Sequence, residues 1–168
     1  FQGVFDGCGY TIRGLNVNAR LDVRTSSDSD IYSGGIFGTI GVNGVVKNVA
    51  FVDVTTDAIY NAVGGIAMNV FGTLDNVFFH TKDDFFAPIG YLSGGATITN
   101  CVFYGSNYQS KGVAQMVDVG QATAIAEPIT IENLLAISNC DSMNDESSAY
   151  ANVTRFDVVT YQNDNAFK

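Results

Sequence analysis

The residues best equipped for chemistry stand together in His80-Thr-Lys-Asp-Asp-Phe-Phe86, where the chain's one histidine neighbours Lys82, Asp83 and Asp84. Carboxylates that hold a cation beside a base that takes a proton would suit a polysaccharide lyase. A glycoside hydrolase would instead need two carboxylates facing one cleft. The competing reading of the stretch is a solvated loop between two strands. Two further acidic stretches, Ser26-Ser-Asp-Ser-Asp30 and Asp141-Ser-Met-Asn-Asp-Glu146, have oxygen ligands for calcium but not the spacing of an EF-hand loop. They read as flexible acidic loops. Asn152-Val-Thr154 forms a glycosylation sequon, a triplet too short to carry weight alone. Cys8, Cys101 and Cys140 cannot all pair within the chain and show no C-x-x-C spacing, so neither a zinc site nor a disulfide scaffold is expected. No metal or other cofactor is called for.

Composition narrows the function classes further. Seventeen acidic residues against eight basic ones give a formal charge of −9, which repels nucleic acid and anionic lipid. No apolar run reaches the roughly 18 residues of a membrane span. At 168 residues with 46% hydrophobic side chains the chain can bury the core of a single domain, spanning 1–168. It opens on Phe1-Gln-Gly3 without a methionine, and we read it as an excised part of a longer multidomain protein.

The elements that must position any site come from a repeat. Its copies are Tyr10-Thr-Ile-Arg-Gly-Leu-Asn-Val17, Val45-Val-Lys-Asn-Val-Ala-Phe51, Thr73-Leu-Asp-Asn-Val-Phe-Phe79, Thr97-Ile-Thr-Asn-Cys-Val-Phe103 and Thr130-Ile-Glu-Asn-Leu-Leu-Ala136. Asn48, Asn76, Asn100 and Asn133 fall 28, 24 and 33 residues apart, a spacing typical of stacked arrays. Ile12, Val46, Leu74, Ile98 and Ile131 define position i. Positions i+3 and i+5 are again apolar, whereas i+1 is polar. Two apolar positions three apart break strand alternation, so the chain bends at the asparagine. A column of amides bonding along the stack would satisfy the backbone there, and the plainer alternative is that asparagine merely tolerates a turn.

A second signature precedes the middle copies: Gly34-Gly-Ile-Phe-Gly38, Gly64-Gly-Ile-Ala-Met68, Pro88-Ile-Gly-Tyr-Leu92 and Gly112-Val-Ala-Gln-Met116. Each repeat therefore holds at least two short strands, and helical periodicity is absent. The expected fold is all-β, a right-handed parallel β-helix of about five to six turns, with Phe51, Phe79 and Phe103 stacked inside and Cys101 a small core residue. The i+1 positions Lys47, Asp75, Thr99 and Glu132 differ in kind, so adjacent turns align no carboxylate cluster beside His80.

Phe1-Gln-Gly-Val-Phe-Asp-Gly-Cys-Gly-Tyr-Thr-Ile-Arg-Gly-Leu15, Gly35-Ile-Phe-Gly38 and Gly44-Val-Val-Lys-Asn-Val49 resemble bacterial surface proteins carrying the GLUG motif, a glycine, two apolar residues and a glycine. The resemblance covers about residues 1 to 105. Gly65-Ile-Ala-Met68 lacks the closing glycine, and beyond Gly105 only Ile131-Glu-Asn-Leu134 keeps the pattern. It implies a secreted or cell-surface β-helix of large adhesin-like proteins, and it supplies no catalytic residues.

The outward positions i+4 and i+6 break the rule for a wetted face. They read Ala50 and Val52, Phe78 and His80, Val102 and Tyr104, Leu135 and Ile137, and only the first copy, with Asn16 and Asn18, is polar. Something lies against such a face. One candidate is the chain itself, through Ala149 to Tyr161 or through the long inter-turn loops. The other is a partner: Phe78, His80, Val102 and Tyr104 would then form a binding platform for a glycan or protein of host or bacterium, extended by Tyr32, Tyr60, Phe85, Phe86 and Tyr108. The sequence thus points to a non-catalytic adhesion, recognition or stalk module, extracellular or at the cell surface. A carbohydrate-active β-helix enzyme centred on His80 to Asp84 is the alternative.

Overall fold

The computed structural model describes residues 1–17, 34–56, 64–82, 87–92, 94–105, 115–116, 129–138 and 156–160. Over these the chain is all-β. β1 (Val4–Arg13) and β2 (Asn16–Val17) are followed by β3 (Phe37–Ile40), β4 (Val45–Thr56), β5 (Gly64–Val70) and β6 (Thr73–Thr81). Then come β7 (Ala87–Leu92), β8 (Thr97–Thr99), β9 (Val102–Gly105), β10 (Gln115–Met116), β11 (Thr130–Glu132), β12 (Leu134–Ser138) and β13 (Phe156–Thr160).

Every strand pairing among the described residues is parallel. The larger sheet runs β1-β4-β6-β9-β12-β13, with β8 and β11 continuing the stack beside β6; the smaller runs β3-β5-β7-β10. From β3 to β12 the chain passes back and forth between the two. A parallel neighbour needs a crossover, and here the crossover is the visit to the other sheet.

Register confirms the repeat for four of its copies. Val46, Leu74, Ile98 and Ile131 align, as do Val49 with Val77 and Phe51 with Phe79 and Phe103. The three phenylalanines are fully buried. They share one core with Ile40, Val70 and Leu92 of the smaller sheet, so the apolar interior lies between the sheets. Gly65 is needed there because a Cβ would strike the Phe79 ring. Cys101 is buried with them; desolvation pushes its thiol up to about 12, and its Sγ donates to the Thr99 carbonyl at 3.1 Å, as fits an inert core residue.

The first copy is corrected. Tyr10 aligns with Val49 and Ile12 with Phe51, so Phe5 occupies position i and Asp6 position i+1, while Gly7-Cys8-Gly9 fills the place of one asparagine. Cys8 takes the corner conformation at φ 51°. Gly14 belongs to a second corner, one that Asp53 occupies on β4: Arg13 pairs with Val52 and Asn16 with Thr55. The polar outward residues of this copy are therefore Thr11 and Arg13, not Asn16 and Asn18. As the terminal strand of the described stack, β1 leaves Tyr10 75% exposed, whereas Val49, Val77, Cys101 and Leu134 of its column are buried.

Candidate functional site

Two corners flank the phenylalanine column, and both use left-handed backbone. At the first, Asn48, Asn76, Asn100 and Asn133 have φ between 52° and 55°. Asparagine tolerates this conformation better than other side chains. Their amides also bond along the stack, so both readings of the asparagines hold. Asn76 Nδ2 donates to Asn48 Oδ1 at 2.9 Å, and Asn48 Nδ2 to Asp6 Oδ1 at 3.2 Å. Asn133 Nδ2 donates to Asn100 Oδ1 at 3.1 Å, and Asn100 Nδ2 to Asp75 Oδ1 at 2.9 Å. The ladder is thus two runs, each ending on a carboxylate. The Cys8 N–H and the Asn48 amide hold the Asp6 carboxyl below its ordinary range, and Asn100 and Thr99 do the same for Asp75.

The second corner brings ionisable side chains together. Asp53, at φ 57°, sits where β4 has one residue more than β6 between Phe51 and Val54. Its Oδ1 lies 3.3 Å from His80 Nδ1 and 3.3 Å from Lys82 Nζ. Its N–H donates to His80 Nδ1 at 3.3 Å, which puts the proton of the neutral ring on Nε2. Burial holds the His80 pKa below its ordinary value, against the opposing pull of Asp53. An acid beside the histidine thus comes from the preceding strand of the sheet, 27 residues away; Asp83 and Asp84 lie outside the described residues. Its sequence signal is the spacing Phe51-Val-Asp-Val54, two inward apolar residues three apart.

Phe78, His80, Val102 and Tyr104 are brought together as expected. Phe78 pairs with Val102 and His80 with Tyr104, and the columns continue through Ala50 on one side and Leu135 and Ile137 on the other. Ala50, Val52, Phe78, His80, Val102, Tyr104 and Leu135 are all half-buried. The ring faces are arranged differently from a platform. His80 and Tyr104 stack at a centroid distance of 5.0 Å and 13°. That distance is about the ~4.8 Å between neighbouring strands, so the rings lie over one another along the stack and turn their edges outward. At His80 and Tyr104 the strip therefore offers hydrogen-bonding edges, not an open ring face.

Of the cover expected from Ala149 to Tyr161, only Phe156–Thr160 lies within the described residues; the rest of that segment and most of the inter-turn loops lie outside them. Phe156–Thr160 pairs in parallel with Leu134–Ser138 as the next strand of the sheet, so these five residues continue the sheet instead of lying over it. Ser26–Asp30, Asp141–Glu146, the Asn152 sequon, Cys140, Tyr32, Tyr60, Phe85, Phe86 and Tyr108 lie outside the described residues. Among the described residues no three His, Cys, Asp or Glu side chains gather as a metal site, and no helix is long and apolar enough to cross a membrane.

No family model matches the chain, and no solved structure matches it. Over 79 residues, 46% of the chain, it is 34% identical to a protein of Evansella cellulosilytica named "Putative Gly-rich membrane protein". Those residues span 8% of that relative's length.

Proposed function

We propose that the chain is a right-handed parallel β-helix of five to six turns that serves as a non-catalytic recognition, adhesion or stalk module of a bacterial protein, secreted or displayed at the cell surface. The observation that carries the reading is the outward strip of Phe78, Val102, His80 and Tyr104, aromatic and aliphatic side chains half-buried on strands in register. A solenoid repeats such a strip at fixed intervals and so presents a long rigid face, suited to binding an extended partner. Covering Phe78 and Tyr104 would contribute a few kcal/mol at roughly 25 cal/mol per Å². The expected partners are glycans or proteins of host or bacterium. The GLUG-like Gly35-Ile-Phe-Gly38 and the membrane-protein name of the Evansella relative support a surface location.

The second reading, a carbohydrate-active enzyme, is favoured by Asp53, His80 and Lys82, an acid, an imidazole and an ammonium within 3.3 Å contacts. One experiment separates the two. A glycan array probed with the purified chain should give binding that Phe78→Asp abolishes, with a thermal midpoint lowered by only a few degrees. Uronic-acid or reducing-sugar release that disappears in His80→Ala would replace the adhesion reading with the enzyme. A blank array together with no release would overturn glycan recognition.

A further inference from the structure

His80 Nδ1 has two neighbours that require opposite protonation states of it. The Asp53 N–H, 3.3 Å away, can donate only to a bare Nδ1 lone pair. Asp53 Oδ1, also 3.3 Å away, can bond only to an Nδ1 that carries a proton. One ring nitrogen cannot serve both. With the ring neutral, the backbone bond forms and the Asp53 carboxylate is left to Lys82 Nζ at 3.3 Å. With the ring charged, the backbone bond must break, and the carboxylate gains a second cation.

We propose that the Asp53 corner is a proton-operated catch on the strip: neutral His80 holds the corner through the Asp53 N–H, and protonated His80 releases that N–H and joins Lys82 on the Asp53 carboxylate. The corner is built for two states. It holds a non-glycine residue at φ 57°, and the strand ladder is interrupted there between Phe51 and Val54, so Nδ1 replaces a backbone acceptor. The preceding strand has Gly14 at the equivalent place, φ 68°, and with it no carboxylate. Among the described residues, the titratable or charged groups at the ring are Asp53 of β4, Lys82 just past β6 and Tyr104 of β9. Movement of the imidazole changes the edge that it shares with Tyr104, so the catch would tune the strip toward mildly acidic conditions. Burial, which favours the neutral ring, places the change below the ordinary histidine range.

The catch rests on the recognition reading only for what it regulates; its own test needs no ligand. Nitrogen-15 NMR of the full chain should show His80 protonated on Nε2 at neutral pH. The Asp53 amide should lose roughly tenfold in exchange protection as the ring titrates. A neutral ring protonated on Nδ1, or Asp53 protection indifferent to the titration, would overturn the proposal. His80→Phe keeps an aromatic ring on Tyr104 and should abolish the pH dependence at Asp53, whereas its persistence would contradict the catch. Asp53→Gly keeps the left-handed corner and the N–H but lacks the carboxylate, so the His80 midpoint should fall further; an unmoved midpoint would sink the carboxylate's part in the catch. A blank glycan array touches none of these readouts.

Discussion

The two corners that bound Phe79 and its neighbours solve one geometric problem in different ways. At the asparagine corner, four asparagines repeat the same φ and the same direction of amide donation, and the outcome is a ladder. At the Asp53 corner, one strand uses Gly14, the next Asp53, and β6 has one residue fewer, so no ladder forms and a histidine accepts the backbone N–H instead. Uniformity is what a stack needs in order to continue. Departure from it is where ionisable groups of different strands meet. The repeat therefore encodes the scaffold, and the break in the repeat gathers the ionisable side chains.

The largest effect should come from the column between the corners. Phe79 is fully buried, in register with Phe51 and Phe103, and its ring fills the space that Gly65 leaves open. Phe79→Ala should cost about 3–5 kcal/mol, the usual range for a large core truncation. Chemical denaturation would measure it. A loss below ~1 kcal/mol would mean that the two corners do not share one core.

The comparison sharpens with glycine and alanine at each corner. Asn76→Ala adds strain from the left-handed backbone, about 1–2 kcal/mol, to the loss of a bond that nets about 0.5–1.5 kcal/mol. Asn76→Gly removes only the amide, so it should recover roughly half of that loss. Asp53→Gly should be nearly neutral in stability, because its ion pairs are partly exposed and such pairs are worth about 0–1 kcal/mol. If Asp53→Gly proved as damaging as Asn76→Ala, the second corner would be structural and the contrast would fail.

The scaffold was legible because inward residues at i, i+3 and i+5 can be counted without coordinates. Val46, Val49 and Phe51 align with Leu74, Val77 and Phe79 in just that phase. The first copy misled for a physical reason. Any corner placed between two inward residues yields an apolar, variable, left-handed, apolar string, and Ile12-Arg-Gly-Leu15 is such a string at the other corner, aligned with Phe51-Val-Asp-Val54. The Gly7-Cys8-Gly9 insertion hid the true copy at Phe5. Phe78, His80, Val102 and Tyr104 were legible from the same phase. The partner of His80 was not, because Asp53 reaches it across strands, and a one-residue register shift decides which carboxylate arrives.

The smallest effect separates the corners along the pH axis. His80 is held below its ordinary value of 6.5 chiefly by burial, so the unfolded chain takes up that proton before the folded one does. Its contribution to stability is complete above pH 6.5 and shrinks as pH falls below it. Asp6 and Asp75 are held below their ordinary value of 3.8 by hydrogen bonds, so their contribution is complete above pH 3.8 and shrinks only as pH falls below that. Thermal midpoints should therefore show a shallow decline starting near neutrality, from the Asp53 corner, and a separate one in strong acid, from the asparagine corner. Other carboxylates also titrate near the second decline, so the informative quantity is the difference between variants. His80→Phe should flatten the first decline and leave the second. Asp75→Asn, which keeps an acceptor for Asn100, should reduce the second and leave the first. If either substitution altered both declines equally, the corners would be one cooperative unit, and the division between a repeating scaffold and an ionisable break in it would no longer hold.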